Sequence, residues 1–258
     1  RLVARLTRSF SDPHVSGRLE ASPFVLRAVP FGAATADFVV DRNVLTLDPL
    51  EARDADGRLV VRGQVGWGGA LGKEYRLTGL VTEAERWPVE RILSFLTIDL
   101  PIAGQVTGRL PLEGVTPRVV GSGELAFEGA RLWGQPFDRV EGTLGFEPDR
   151  IRLSGVRGAL GKGTGRLDGY FRYADDGYEL EASADELPVE RLASVAARAG
   201  SLTGRVTGTV SGRGTLADPV LRLRGTIAEP AWEGSPLALP GDRPTLSLNL
   251  DGDALEAS

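Results

Sequence analysis

A two-residue alternation runs through Leu202-Thr203-Gly204-Arg205-Val206-Thr207-Gly208-Thr209-Val210, with apolar or glycine positions interleaved with Arg and Thr. That period specifies extended backbone with one apolar face. An earlier stretch, Ile102-Ala103-Gly104-Gln105-Val106-Thr107-Gly108-Arg109-Leu110, has the same spacing. The flanks repeat as well: Leu187-Pro188-Val189-Glu190-Arg191-Leu192 echoes Trp87-Pro88-Val89-Glu90-Arg91-Ile92 at an offset of 188 − 88 = 100 residues. A chain that repeats at such a distance builds one supersecondary unit more than once, and few folds accept that constraint.

The downstream prolines, Pro117 and Pro219, are offset by 219 − 117 = 102 residues, which implies a two-residue insertion in the connecting loop. Ser11-Asp12-Pro13 followed by Val15-Ser16-Gly17-Arg18-Leu19 reads as the end of a still earlier copy. The expected organisation is one continuous repeat-built β domain over 1–258. Its approximate units are 1–12 (the end of a preceding unit), 13–116, 117–218 and 219–258 (a truncated unit). The sequence is accordingly expected to be a fragment of a longer protein.

Between the repeats the alternation continues. Phe38, Val40, Leu45 and Leu47 form an inward set around a turn at Asp41-Arg42-Asn43. Leu59, Val61, Val65 and Trp67 share one face, and a hairpin partner runs through Tyr75, Leu77, Gly79 and Val81. Two short amphipathic helices are expected near 88–96 and 188–199. The first carries Val89, Ile92, Leu93 and Leu96 on one stripe and the second Val189, Leu192, Ala193 and Ala196. Glycine, at 34 residues, recurs inside strand-like runs, where it marks bulges and bends and so points to curled sheets.

Composition excludes several function classes. A net charge of −5 gives no electrostatic footprint for nucleic acid. No cysteine means no disulfide, no thiolate metal ligand and no Cys nucleophile. The one His, His14, is expected beside an Asp12-Pro13 turn as a surface residue, and no G-x-S-x-G elbow offers a serine for it to activate. Gly158-Ala159-Leu160-Gly161-Lys162-Gly163-Thr164 lacks the Ser or Thr directly after the Lys that a phosphate loop needs, so it reads as a hairpin turn. Asp54-Ala55-Asp56-Gly57 and Asp175-Asp176 read as turns for the same local reasons. No catalytic residues, no metal ligands and no cofactor are expected, and the chain is read as a non-enzyme.

Leu187-Pro188-Val189-Glu190-Arg191-Leu192, then Leu202 to Thr209, then Gly214-Thr215-Leu216-Ala217-Asp218-Pro219-Val220, together resemble the TamB family (translocation and assembly module) and the wider AsmA-like proteins. With the copy at 88–125 included, the resemblance covers nearly the whole chain. The first copy departs from it in having no Asp before Pro117 and a shorter loop. The resemblance implies an all-β, elongated, curled antiparallel sheet (a β-taco or half-pipe) with an apolar inner surface. It further implies a periplasmic protein held at the inner membrane through a segment outside this sequence, and similarity to bridge-like lipid transfer proteins. The implied partners are a phospholipid or other acyl-chain lipid and, through another part of the full-length chain, an outer-membrane barrel of the Omp85 type.

Alternation by itself says only that one face is buried, so a sealed sandwich or barrel core competes with an open groove. On the groove reading, Val61, Val65, Leu77, Ile102, Val106, Leu144, Phe146, Leu167, Phe171, Leu180, Val206 and Leu223 line the concavity. The expected function is a bridge that shields acyl chains for phospholipid transport between inner and outer membranes. One alternative is a chaperone or scaffold for outer-membrane β-barrel assembly; another is an adhesion or glycan-binding module, which 7% aromatic content supports weakly.

Overall fold

A computed structural model describes residues 1–258 except Phe10, Ser11, Phe24, Arg27, Ala28, Phe31, 69–71, 97–100, Trp133, 194–200, Leu216, 238–244, Gly252, Asp253 and Ser258. In chain order the elements are β1 (Leu2–Ser9), β2 (Asp12–Ala21), β3 (Val25–Leu26), β4 (Val29–Pro30), β5 (Ala33–Asp41), β6 (Val44–Asp54), β7 (Gly57–Trp67), β8 (Tyr75–Pro88), α1 (Val89–Leu96), β9 (Ile102–Val115) and β10 (Arg118–Leu132). These are followed by β11 (Gln135–Pro136), β12 (Arg139–Phe146), β13 (Arg150–Leu160), β14 (Gly163–Arg172), β15 (Gly177–Pro188), a 3-10 turn (Val189–Arg191), β16 (Leu202–Thr215), β17 (Pro219–Trp232), β18 (Ser235–Pro236), β19 (Thr245–Asp251) and β20 (Ala254–Ala257). The fold is all-β and antiparallel, as the alternation requires.

The chain divides into two units: unit 1 comprises 1–127 with 145–148, and unit 2 comprises 128–144 with 149–258. In unit 1, β1, β2, β5, β6, β7, β8 and β9 pair in succession. In unit 2, β13, β14, β15, β16, β17, β19 and β20 do the same.

The repeat seen in the sequence is a repeat of backbone conformation. Arg86 and Glu186 both take positive φ, at 46° and 49°. Each sits in a bulge, where the register slips between Ala84 and Trp87 in unit 1 and between Ala184 and Leu187 in unit 2. Each bulge is tied in the same way, the Arg86 N–H donating to Thr107 Oγ1 at 3.0 Å and the Glu186 N–H to Thr207 Oγ1 at 3.1 Å. The neighbouring strand must leave room. A Cβ on Gly57 would lie 2.8 Å from the Arg86 carbonyl oxygen, and one on Gly163 would lie 2.5 Å from that of Glu186. Bulges of this kind increase local twist and bend the strands that carry them.

Pro88 and Pro188 end their strands instead of opening helices, because each still pairs across the ladder, with Gln105 and Arg205 respectively. Helix α1 begins one residue later and fills the expected first span. The second span begins as the Val189–Arg191 3-10 turn, and Leu192 returns to extended backbone (φ −75°, ψ 114°). Its continuation over 194–200 lies outside the described residues.

His14 belongs to a strand and not to a turn: it lies in β2, paired with Asp41, and its Nδ1 is 3.4 Å from Asp41 Oδ2. Ser9 pairs with Asp12, so Asp12-Pro13 opens β2. The other turn readings agree with the register. Asp54 pairs with Gly57, Leu160 pairs with Gly163, and the Asp175-Asp176 pair lies between β14 and β15.

Burial is sparse for a chain of 27.5 kDa. The accessible surface is 16065 Å², whereas two separate globular proteins of half this mass would together expose about 13,000 Å².

Candidate functional site

Residues directly paired across an antiparallel ladder share a face, so the register gives the composition of each face row by row. In unit 1 one row of the apolar face reads Leu6, Val15, Val40, Leu45, Val65, Leu77, Gly114. Further along the strands comes Leu19, Ala36, Leu50, Val61, Thr82, Leu110, then Ala21, Ala34, Ala52, Leu59, Ala84, Gly108. The side chains shrink towards the end where α1 sits. There Ala34, Ala52, Ala84, Trp87 and Val106 form a buried cluster, with Leu59, Ile92, Leu125 and Phe127 packed against it. Small residues let the helix approach, and Trp87, with no exposed surface, fills the space between. At the opposite end the row through Val65 and Leu77 is only half-buried.

Unit 2 follows the same gradient. Val156, Leu167, Ala182, Val210 and Leu223 make one apolar row, and Leu153, Gly169, Leu180, Gly212 and Leu221 the next. Gly158, Gly165, Ala184, Gly208 and Gly225 form the small row next to the sealed end. In that unit Ala130, Val140, Leu160 and Val189 are buried.

The sequence-derived lining residues fall on these faces as follows. Val65 and Leu77 pair directly, and Val61 lies on the same face beside Leu50. Val106 sits in the sealed cluster opposite Trp87 at 4% exposure, and Ile102, four positions earlier on β9, is half-buried. Phe171 pairs with Ile151 and Tyr178, Leu180 with Gly169 and Gly212, Leu167 with Val156 and Ala182. Val206 pairs with Leu187 and Ile227, and Leu223 with Val210. Leu144 and Phe146, at the end of β12, are half-buried. The lining residues thus divide between an accessible lane and a closed one, a distinction that alternation alone does not carry.

Phase slips explain the remaining differences. Val81, expected on the apolar face, pairs with Arg62 on the polar face, because β8 carries an extra residue at Gly79 (φ 57°). The Gly79 N–H donates to Glu113 at 2.7 Å, and the Gly155 N–H at the matching bulge of β13 donates to Asp168 at 2.7 Å.

The opposite face carries the charge. In unit 1 Glu51 accepts from Arg53 at 2.7 Å and from Arg58 at 3.0 Å. The Arg58 hydrogen bond above all, aided by Arg53, holds the Glu51 carboxyl down to about 2. Glu83 lies 3.5 Å from Arg109. In unit 2 Arg191 donates to Asp138 through Nη2 and Nη1, at 2.8 and 3.1 Å, and the Gly161 N–H donates to the same carboxylate at 2.6 Å. Those bonds, led by Arg191, hold the Asp138 carboxyl below the usual carboxylate range.

No family model matches the chain, and neither the curated proteins nor the solved structures contain a match to it. Among the described residues no helix is long and apolar enough to cross a membrane.

Proposed function

We propose that this chain shields lipid acyl chains along the accessible lane of its apolar faces, as part of a periplasmic bridge carrying phospholipid between inner and outer membranes. The observation that carries this reading is the continuity of half-buried apolar rows across strand after strand, in which side chains stay in reach of solvent that a closed core would exclude. Acyl chains need only dispersion and dehydration from their surroundings, so a lining of mixed aliphatic and aromatic residues suffices. The resemblance to the TamB family supplies the compartment, the anchoring segment outside this sequence and the Omp85-type partner.

Native mass spectrometry of the purified chain tests the reading: co-purifying phospholipid is expected, and its loss in Phe171→Asp is the second expected result. A chain that carries no lipid even after incubation with detergent-solubilised phospholipid contradicts it. A second reading, templating of incoming outer-membrane strands, draws on β1, whose Leu2, Val3 and Leu6 are exposed.

A further inference from the structure

The polar faces of the two units present opposite charge at matching sheet positions. Three residues in from the Asp54–Gly57 hairpin end of unit 1, Glu51 pairs with Val60, Val60 with Glu83, and Glu83 with Arg109. Three residues in from the Leu160–Gly163 hairpin end of unit 2, Arg157 pairs with Arg166, Arg166 with Ser183, Ser183 with Thr209, and Thr209 with Arg224. The unit 1 row is self-compensated. Glu51 is held by Arg53 and Arg58, Glu83 lies beside Arg109, and Val60 is buried among them. On the other side of β13 Glu141 of β12 lies beside Arg157, where it accepts from Arg139 at 3.1 Å, and from β13 to β17 the unit 2 row contains no carboxylate. Its five side chains are exposed, and Arg157, Arg166 and Arg224 make no ion pair or side-chain hydrogen bond among the described residues.

Like charges directly opposite across an antiparallel pair work against folding, and Glu141, the carboxylate beside Arg157 on β12, is engaged by Arg139 at 3.0 Å, so the Arg157–Arg166 pair has no ion-pair partner of its own. We infer that this row is a binding site for a phosphate-bearing polyanion. Guanidinium groups offer forked donors that match phosphate oxygens, and the Ser183 and Thr209 hydroxyls add donors between Arg166 and Arg224. Three inter-strand steps separate Arg166 from Arg224, about 14 Å, which exceeds the reach of a single phosphate and calls for several in succession. The neighbouring acids are Glu141 on β12, bonded to Arg139, Glu181 and Asp185, one row to either side on β15, and Asp168, whose carboxylate accepts from the Gly155 N–H. The site lies on the face opposite the apolar rows and does not depend on lipid shielding.

The phosphates of an anionic membrane surface and those of a soluble chain share this chemistry, and one experiment separates them. The full chain is assayed at low salt against phosphatidylcholine vesicles with and without phosphatidylglycerol, and against short-chain polyphosphate. Variants are Arg157→Ser with Arg166→Ser and, as the control from unit 1, Arg109→Ser. Binding that weakens with salt is expected, with about a tenfold or larger loss in the double variant and none in the control. Binding to phosphatidylglycerol vesicles alone assigns the ligand to lipid headgroups, and binding to polyphosphate as well assigns it to phosphate chains in general. Absence of binding to both, or a double variant that binds as the unaltered chain does, overturns the site. The double variant removes a like-charge pair and is expected to melt no lower than the parent, so a loss of binding does not reflect unfolding.

Discussion

The corner after β8 and the corner after β15 solve one folding problem with different residues. Both place a positive-φ bulge before a proline, both tie it to a threonine 21 positions on, and both follow it with a buried valine, Val89 or Val189. Both keep an arginine, but its partner changes. Arg91 bridges to Asp54 at the end of β6 at 2.5 Å and donates to the Pro30 carbonyl, whereas Arg191 bridges to Asp138 ahead of β12. At the hairpin end where unit 1 has Asp54, unit 2 has Leu160, fully buried. The corner therefore needs one carboxylate for its arginine and tolerates a change in where that carboxylate comes from, provided the vacated position is refilled with apolar volume. A second difference is the plug: Trp87 is fully buried, and Leu187 is half-buried.

Three pairs of substitutions test how far the two corners are equivalent. The largest effect is expected at the plug. Trp87→Ala opens a cavity in the cluster of unit 1 at about 3–5 kcal/mol, and Leu187→Ala removes a half-buried side chain at about 1–2 kcal/mol. Hydrogen exchange of the β8–β9 and β15–β16 amides reads the two units separately. Equal losses of protection would show that the two plugs seal their units alike.

Next in size is the arginine clamp. Asp54→Ala strips a largely buried Arg91 of its carboxylate and is expected to destabilise unit 1 by about 1–2 kcal/mol. Asp138→Ala removes a more exposed partner and is expected to cost less. The same exchange measurement checks the order, and a larger loss from Asp138→Ala would reverse it.

Smallest is the acid response. Glu51 has a folded value of about 2 against an ordinary 4.5, so its contribution is fully present above pH 4.5 and is lost as pH falls from there towards 2. Water screens the cluster, and the expected effect is on the order of 1 kcal/mol. Denaturant titrations of the parent and of Glu51→Gln, repeated at descending pH, should converge in that window. Arg157, at the matching position of unit 2, offers no such group, so Arg157→Gln should leave the pH profile unchanged.

Fold class, the 100-residue repeat, the hairpin turns and the first helix were legible in the sequence because each rests on local chemistry: period-two patterning, turn residues, and the Val89–Ile92 spacing after Pro88. Bulges were not legible in detail. The extra residue at Gly79 moves Val81 to the polar face, and Gly79 is no different in sequence from a glycine that continues the strand. Nor could alternation separate the sealed lane from the accessible one: Val106 and Val65 share a face, and only the packing of α1 and Trp87 distinguishes them. The charge inversion between Glu51–Val60 and Arg157–Arg166 needed the register before the positions could be matched.

What occupies the accessible lane is read directly by site-specific photo-crosslinking in cells. A benzophenone amino acid is placed at Leu77, Phe171 and Leu223 on the half-buried apolar rows, and at Arg213, an exposed residue of the polar face, as the comparison. Lipid shielding requires phospholipid adducts at the three apolar positions and none at Arg213. Adducts absent from all four positions, or as frequent at Arg213 as at Phe171, would contradict it.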